Sequence, residues 1–242
     1  MSLTYDDAVP SQRATAARQL AARRLPGTFF ILGKSDDLAR HRAEWQSLLA
    51  AGHELASHTI HHPCDCSHDW VPRGYTSQDY DLPRMRAELE QTLSLLQGLG
   101  APEPYTFAYP CGETRVGSPA QSYVPIVSEL FLAARGVQAR LADPWLDSLQ
   151  ELPAFDGARE ARELIALCER AEAEGAWLVL LFHGVGGDHL AVSAQAHAAL
   201  LEHLAQRRDA LWTESFRNVA RHVQQARANS SAVPENPPGR TC

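Results

Sequence analysis

The fold class is decided by residues 25–57, LPGTFFILGKSDDLARHRAEWQSLLAAGHELAS. Within them, residues 28–32 are mostly β-branched or aromatic, which is typical of a buried strand. A helix that ends at Gly52 is predicted next, followed by a second strand at residues 53–57. The apolar face of that helix consists of Leu38, Trp45, Leu48 and Leu49. A strand, a helix and a second strand in succession predict a parallel pair joined by a right-handed crossover.

The same alternation continues along the chain on both sides of this unit. The other predicted strands are residues 2–5, 105–109, 131–135, 149–153, 177–182 and 211–213. The other predicted helices are residues 11–24 with Ser11 as the N-cap, 82–99, one that ends near Leu130, 158–174, 193–206 and 216–227. Seven or eight such units predict an α/β fold with a parallel sheet, and at this chain length they favour a (β/α) barrel of seven or eight strands over an open sheet.

The chain is predicted to form one domain, residues 1–227, followed by a tail, residues 228–242. The tail contains three Pro, two Ser, two Asn and one Gly without any period, so we expect it to be disordered. Residues 58–80 also lack a period. Because long loops inside compact domains are usually functional, this second stretch is a candidate site loop.

The composition excludes two classes of function. The 242 residues include 22 Lys and Arg against 29 Asp and Glu, a net charge of −7, and the basic residues are scattered, so we expect no nucleic-acid binding. The longest apolar run, residues 177–182, is far shorter than the roughly 20 residues that cross a bilayer, so we expect no membrane-spanning segment. We expect a secreted or periplasmic location if a leader has been removed, and a cytoplasmic one otherwise.

Chemically capable side chains follow several predicted strands. They are Asp6 and Asp7 after the first strand, His58 and His62 after residues 53–57, Cys111 after residues 105–109, and His183 after residues 177–182. Because the active site of a β/α barrel lies at the carboxyl ends of its strands, these residues predict a single site.

Part of this set suits a metal ion. Adjacent carboxylates repel each other, so Asp6 and Asp7 are costly side by side unless a cation or a hydrogen-bond network absorbs one charge. His58 and His62 are four residues apart, which on a helical turn brings both imidazoles close enough to share a metal. With Asp7 they form a three-ligand site that leaves positions open, as in catalytic zinc sites; cobalt, manganese and nickel are also compatible.

Each of these features also has a plainer interpretation. Taken alone, two adjacent aspartates are more typical of a turn or helix cap, and two such histidines are equally typical of the surface of a histidine-rich loop. A rival structural zinc site would use His61, Cys64, Cys66 and His68, but its Cys-x-Cys spacing is unusual and its four ligands are cramped. The glycines of residues 184–187 lack the spacing of a phosphate-binding loop and are interpreted as a strand-to-helix turn.

Four segments together resemble the motifs of a known family. They are LTYDD at residues 3–7, HTIHHP at 58–63, FAYPCG at 107–112 and LLFHG at 180–184. As a set they resemble the NodB-type polysaccharide deacetylases, carbohydrate esterase family 4, whose motifs include TFDD and H-[S/T]-x-x-H-P. The resemblance extends over about residues 2–226. It implies a distorted β/α barrel, often of seven strands, and metal-dependent removal of acetyl groups from N-acetylated or O-acetylated sugars.

The resemblance also implies roles for the matching residues. Asp6 looks like the general base, His183 like the general acid, and the backbone N–H of Cys111 like a donor to the oxyanion. Thr59 is expected to bond to nearby backbone and shape its turn. The implied metal ligands are Asp7, His58 and His62. The implied substrate-binding residues are Tyr109, Pro110 and Trp145.

The chain departs from the family pattern in two places. Ala108 stands where many relatives have an arginine that helps to hold the base, and we expect Arg135 to supply a guanidinium to Asp6 from another direction. The family's fourth motif, an Asp near a Trp that lines the sugar pocket and tunes the acid, has an approximate match in Asp143 and Trp145. Packing in a loop is as good an interpretation of Trp145 as stacking on a sugar.

The cysteines leave the redox compartment open, since five cysteines leave at least one unpaired in the monomer. Cys64 and Cys111 follow or lie in the resembling motifs, so both are expected at the rim of the metal site. A disulfide between them is one possibility, which a Cα–Cα separation above about 7 Å would exclude. Cys168 shares a helix face with apolar residues and is expected in the core.

The sequence therefore predicts a metal-dependent hydrolase that deacetylates a carbohydrate. Two alternatives stay open: a barrel that binds carbohydrate or metal without turnover, and a deacylase of small non-sugar amides. The complete set of ligands, base and acid favours the enzyme, because a protein that only binds needs neither base nor acid. Candidate stacking platforms in the loops are Trp70, Tyr75, Tyr80 and Tyr123.

Overall fold

The computed structural model describes residues 1–231, whose main feature is a seven-stranded parallel sheet. The strands are β1 (Ser2–Asp6), β2 (Thr28–Ile31), β3 (Glu54–Ser57), β4 (Thr106–Ala108), β5 (Arg115–Val116), β6 (Gln121–Ser122), β7 (Ala133–Arg135), β8 (Phe155–Asp156) and β9 (Val179–Phe182). The order across the sheet is β7-β4-β3-β2-β1-β9-β8, and β5 and β6 form a separate antiparallel pair.

Helices connect the strands of the main sheet. They are α1 (Ala17–Ala22), α2 (Asp36–Arg40), α3 (Arg42–Ala50), α4 (Leu82–Leu99), α5 (Val124–Leu130), α6 (Ala161–Glu174), α7 (Ala194–Gln206) and α8 (Phe216–Ser231). A π-helical turn, Gln12–Ala16, precedes α1, and short 3-10 turns lie at Ser77–Asp79 and Pro110–Gly112.

The sheet curls into a half-barrel, which confirms the predicted barrel architecture. A parallel bridge between Arg135 and Leu152 joins β7 to the segment just before β8, although β7 and β8 are the two edge strands. Of the predicted strands, the one at residues 149–153 is displaced and the one at residues 211–213 is wrong. Residues 149–153 contribute this bridge, and β8 follows them. Residues 211–213 form no strand, because half-exposed Trp212 belongs to a loop that covers the amino end of β1.

Alternate residues of the strands pack into two separate cores, as the pleat requires. Phe29 of β2 belongs to the larger core beneath the surrounding helices, whereas Phe30 belongs to a second core inside the curled sheet. Half of the strand residues in this inner core are alanines, and Phe216 of α8 contributes to it. The inward-facing alanines of the strands are Ala56, Ala108 and Ala133. Small side chains on the inner face let the strands curl tightly around it.

The first helical segment starts differently from the prediction. Ser11 has helical backbone angles and makes no side-chain cap. Its hydroxyl instead accepts a hydrogen bond from the Val185 N–H at 3.0 Å and donates one to the Gly187 carbonyl at 3.3 Å. These bonds fasten the loop after β1 to the loop after β9.

The carboxyl-terminal helix α8 continues to Ser231, past the predicted end at residue 227. The remainder of the predicted tail, residues 232–242, lies outside the described residues. Within the described residues, no helix is both long enough and apolar enough to span a membrane.

Candidate active site

A buried ion pair lies at the carboxyl end of the sheet. Asp6 ends β1 and Arg135 ends β7, and the pleat turns both side chains toward the inside of the curled sheet. The Arg135 Nη2 donates a hydrogen bond to Asp6 Oδ1, and its guanidinium lies 4.9 Å from the centroid of the Phe30 ring. Both charged side chains are buried, where either one alone would be costly. The predicted pairing of Arg135 with Asp6 is confirmed.

The strand register explains how Arg135 reaches Asp6 although position 108 holds an alanine. Ala108 of β4 is the direct partner of Arg135 of β7 in the parallel ladder. The two positions therefore lie side by side at the same height in the sheet and on the same face. An arginine moved from one strand to its neighbour still places its guanidinium over the inner face.

Three potential metal-ligand atoms lie close together beside Asp6. Asp7 Oδ1 lies 3.5 Å from His58 Nε2 and 3.7 Å from His62 Nε2, and the two Nε2 atoms are 3.0 Å apart. Tetrahedral zinc with bonds of 2.0–2.1 Å separates its ligand atoms by about 3.4 Å. The sequence prediction of these three residues as one cluster is therefore matched by their geometry, and the donor set fits a divalent metal such as zinc.

The other nitrogens of the two histidines are already engaged. His58 Nδ1 donates to the Ala108 carbonyl at 2.9 Å, and His62 Nδ1 lies 3.4 Å from the Cys64 sulfur. A nitrogen that donates carries its proton, so the Nε2 of the same neutral ring keeps a free lone pair. This is the usual arrangement around histidines that bind a metal.

The local pKa values suit metal binding as well. Burial lowers the pKa of His62 to about 4, so its imidazole is neutral near pH 7. Burial alone would raise the pKa of Asp7, but a hydrogen bond from His189 and the neighbouring imidazoles of His58 and His62 hold it well below its usual range. A neutral imidazole and an ionised carboxylate are the forms that bind a metal.

The turn between the two histidines is held from two sides. The Thr59 hydroxyl accepts a hydrogen bond from the His62 N–H at 2.9 Å, as predicted. Glu88, a buried residue of α4, accepts the backbone N–H groups of Ile60 and His61 at 2.9 and 2.7 Å, and its second oxygen lies 2.9 Å from His61 Nδ1. Sequence analysis missed Glu88 because its helix position carries no sign of the loop that it meets.

Several residues of the site have left-handed backbone angles that are rare outside glycine. The φ values are +78° for Asp7, +63° for Thr59, +55° for His62 and +52° for Cys111. Each such residue costs on the order of 1–3 kcal/mol, and such residues concentrate at functional sites. Their clustering here supports a functional interpretation of these loops.

Cys64 and Cys111 form a disulfide with a Cα–Cα distance of 6.0 Å. It joins the loop of His62 to the short turn that carries the Cys111 N–H. The bond also removes Cys64 from the rival zinc site of the sequence analysis, so that hypothesis was wrong. Among the described residues the free cysteines are Cys66, which is exposed, and Cys168, which is buried as expected.

His183 approaches the cluster from β9, with its Nε2 3.9 Å from Asp7 Oδ2. Burial lowers the pKa of His183 below its usual value. Its buried Nδ1 has no hydrogen-bond partner among the described residues. Asp143, the approximate match to a fourth motif, accepts the Trp145 N–H at 2.8 Å instead and does not orient His183.

Two further residues of the site were missed from the sequence. The Gln12 amide donates to the carbonyls of Asp6 and His183, which ties together the strand ends that carry the predicted base and acid. The His189 Nε2 lies 2.8 Å from Asp7 Oδ2. Neither residue could be predicted as part of the site, because their approach to it depends on how β1 and β9 pair.

The predicted substrate residues are not brought together. Tyr109 is buried in the larger core with its hydroxyl on the Gln150 carbonyl at 2.9 Å, and Pro110 is buried at the start of its 3-10 turn. Trp145 is half-exposed, but it lines a cavity of about 310 Å³ with Met1 and Trp212 at the amino end of the sheet. Its position does not support a role beside the metal cluster.

Among the loop aromatics, Trp70 lies at the rim of the cluster. Its ring centroid is 5.7 Å from that of His62, and it is 55% exposed. Tyr80 and Tyr123 are buried, and Tyr75 stacks on the His61 ring at 4.3 Å. Trp70 is therefore the candidate platform that offers an open aromatic face next to the cluster.

Residues 1–121 match the family model described as polysaccharide deacetylase. The chain belongs to the polysaccharide deacetylase family. The matched half contains Asp6, Asp7, His58 and His62, whereas His183 lies beyond it. A search of curated proteins finds no match to the chain.

Solved structures share the fold of this polysaccharide deacetylase. A Mycobacterium smegmatis protein assigned to the polysaccharide deacetylases has a TM-score of 0.65 and 17% identity, covering 100% of this chain and 94% of its own. A family 4 carbohydrate esterase from Streptomyces lividans, in complex with acetate, has a TM-score of 0.56 and 18% identity over 86% and 88% of the two chains. A family 4 acetyl xylan esterase from Clostridium thermocellum, in complex with a cobalt ion, has a TM-score of 0.51 and 17% identity over 85% and 83%.

Proposed function

We propose that this deacetylase uses a divalent metal, held by Asp7, His58 and His62, to remove acetyl groups from an N-acetylated or O-acetylated carbohydrate. One observation carries the proposal. A buried, arginine-paired carboxylate, Asp6, lies directly beside a cluster with the donor types and spacing of a catalytic metal site. Zinc is the first candidate, and cobalt, manganese and nickel have compatible ligand preferences.

The metal, when bound, would polarise the acetyl carbonyl and make hydroxide available from water near neutral pH. Asp6 then acts as the general base that accepts the proton of the attacking water. Its Oδ1 is held by Arg135, while its Oδ2 faces the cluster, 3.7 Å from His58 Nε2. The guanidinium thus fixes which carboxylate oxygen is free to take the proton.

His183 is the general acid in this scheme. Its Nε2 lies 3.9 Å from Asp7 Oδ2, whereas the two histidine ligands face Asp7 Oδ1. Because burial lowers its pKa, the protonated imidazole releases its proton more readily than an exposed histidine. Donation to the departing sugar nitrogen or oxygen lets a neutral amine or alcohol leave.

The backbone N–H of Cys111 is the proposed donor to the oxyanion that develops on the acetyl carbonyl. The disulfide to Cys64 restrains its turn relative to the loop that carries His62. A hydrogen-bond donor that already points at the position of the oxyanion stabilises the transition state without any rearrangement during the reaction.

The carbohydrate substrate is supported by family membership and by the exposed face of Trp70 beside His62. Sugar rings present apolar C–H faces that stack on tryptophan.

The proposal is tested by acetate release from purified protein on chitooligosaccharides, peptidoglycan fragments, acetylxylan and small acetamides. Each is assayed with added zinc or cobalt and again with chelator. Release from a carbohydrate that chelator abolishes is the expected result. No release despite bound metal would instead favour a barrel that binds without turnover, and release from the small acetamides alone would favour a deacylase of non-sugar amides.

A further inference from the structure

The side chain of Asp7, a predicted metal ligand, is not oriented by the strand ladder of β1. Asp7 follows the end of β1 with a φ of +78°, outside the strand ladder. Its Oδ1 lies 3.5 Å or more from the imidazole nitrogens of His58 and His62, beyond good hydrogen-bond distance. In the described part of the chain, the hydrogen bond to its carboxylate comes from His189, at 2.8 Å.

The two oxygens of the Asp7 carboxylate face different groups. Oδ1 faces the two histidines of the metal cluster, whereas Oδ2 accepts from His189. A carboxylate oxygen has no proton to give, so the His189 Nε2 carries the hydrogen of this bond. The ring therefore holds one oxygen and turns the other toward the cluster.

The loop that carries His189 is held by hydrogen bonds and by a tight turn. The Asp188 carboxylate accepts the Ser11 N–H at 2.7 Å, and the His189 carbonyl accepts the Gly184 N–H at 3.1 Å. A Cβ on Gly184 would lie 1.9 Å from the Gly187 carbonyl oxygen, so the turn requires glycine there. Asp188 and Leu190, on either side of His189, have φ values of +64° and +46°. Backbone strain of this kind, here on both sides of a half-exposed histidine, is typical of functional sites.

We propose that His189 is a positioning residue for the metal site, whose Nε2–H bond to Asp7 Oδ2 aims Asp7 Oδ1 at the metal. The inference rests on the proposed function, because it assumes the metal cluster of Asp7, His58 and His62. Outer partners of metal ligands typically contribute 10–100-fold to metal affinity. Removing His189 is therefore expected to weaken metal binding by about that factor while leaving the fold intact.

The test compares zinc affinity, measured by chelator competition on metal-stripped protein, in the unchanged chain and in His189→Ala, His189→Gln and Leu190→Ala. The Gln amide nitrogen reaches the position of the imidazole Nε2 and donates a hydrogen bond. The account predicts about 10–100-fold weaker zinc binding in His189→Ala, near-normal binding in His189→Gln, and no change in Leu190→Ala. Thermal unfolding of the metal-free proteins is expected to be the same in all four.

Three results would overturn the inference. Equal zinc affinity in His189→Ala and the unchanged chain would show that His189 does not position Asp7. A drop in stoichiometry from two zinc ions to one in His189→Ala would make His189 a ligand of a second ion, together with Asp7 and His183. If the unchanged chain binds neither zinc nor cobalt, manganese or nickel, the proposed function fails as well, which separates that failure from the first two.

Discussion

Asp6 and Asp7 are neighbours in sequence, yet their carboxylates occupy different surroundings. Asp6 is the last residue of β1 and faces the inner core, where Arg135 pairs with it. Asp7 lies just beyond the end of β1, and its left-handed backbone turns the carboxylate toward the histidines. We therefore propose separate roles for the two adjacent acids, Asp6 as base and Asp7 as ligand, since only Asp6 lies within the strand.

Replacing the proposed base tests this division. Asp6→Asn removes the proton acceptor but leaves the metal cluster, so turnover is expected to fall about a hundredfold or more while metal content stays near one ion per chain. Asp36→Asn, which changes an exposed carboxylate of α2, is the matched control. The measurements are kcat and metal content, with circular dichroism to confirm folding. Unchanged kcat in Asp6→Asn would show that the base is misassigned.

Trp70→Ala tests the proposed sugar platform. Loss of one stacking face is expected to raise KM about fivefold, the equivalent of about 1 kcal/mol, with kcat little changed because the reacting groups are untouched. Trp212→Ala, an equally exposed tryptophan at the amino end of the sheet, serves as the control. A KM for Trp70→Ala equal to that of the control would argue against stacking.

At the residue scale, the sequence is informative where chemistry follows directly on a strand. His58, His183 and the two aspartates stand out because each comes after an apolar run whose end must lie at one edge of the sheet. Glu88 and His189 carry no such signal, since they reach the site from a helix and a loop through tertiary packing. Trp145 is the opposite case: its local motif suggests a site residue, but it lies at the amino end of the sheet, away from the cluster.

At the scale of elements, the loop from β3 to α4 is a rigid support. Glu88 accepts two of its backbone N–H groups, and the disulfide of Cys64 anchors it to the turn after β4. A tightly held loop keeps the two histidines at a fixed separation, which a metal site needs before the ion arrives.

Glu88→Ala is expected to lower the free energy of unfolding by about 1–3 kcal/mol, because the partly buried N–H groups of Ile60 and His61 lose their acceptor. The zinc affinity should fall with it, since His58 and His62 are no longer held on one turn. The control is Glu90→Ala on the exposed face of the same helix. Urea denaturation and chelator competition measure the two effects, and equal values for both variants would contradict the account.

Helices and central strands could be predicted from the sequence because their apolar periods are strong. The predicted strand at residues 28–32 and helix at 82–99 agree closely with β2 and α4. The weak points were short edge segments. Residues 149–153 form only a single bridge to the sheet, and residues 211–213 lie in a loop. Both segments contain apolar side chains, so the local sequence pattern does not distinguish them from a strand.

At the scale of the whole molecule, the half-barrel has an acid-sensitive interior. His53 is buried, its Nδ1 accepts the Gly27 N–H at 3.1 Å, and burial lowers its pKa from 6.5 to about 4. The unfolded chain therefore binds this proton more readily than the folded one between these two pH values. The stabilisation is fully present above pH 6.5 and is lost as the pH falls toward 4.

His53→Asn places an amide oxygen near the position of Nδ1 but cannot take up this proton. We expect the fall in unfolding free energy between pH 7 and pH 5 to be smaller than in the unchanged chain, by at most about 1.4 kcal/mol per pH unit for one proton. Urea denaturation at both pH values, with chelator present, measures the slope. His222→Asn, an exposed histidine of α8, is the control; an identical slope in His53→Asn would contradict the assignment.

We expect acetate release to require one divalent ion bound by Asp7, His58 and His62. The most direct test titrates metal-stripped protein with zinc while acetate release from its best substrate is followed. The account predicts negligible release without zinc and a linear rise that stops at one zinc ion per chain. Full release from the stripped protein, or no release after one ion has bound, would contradict it.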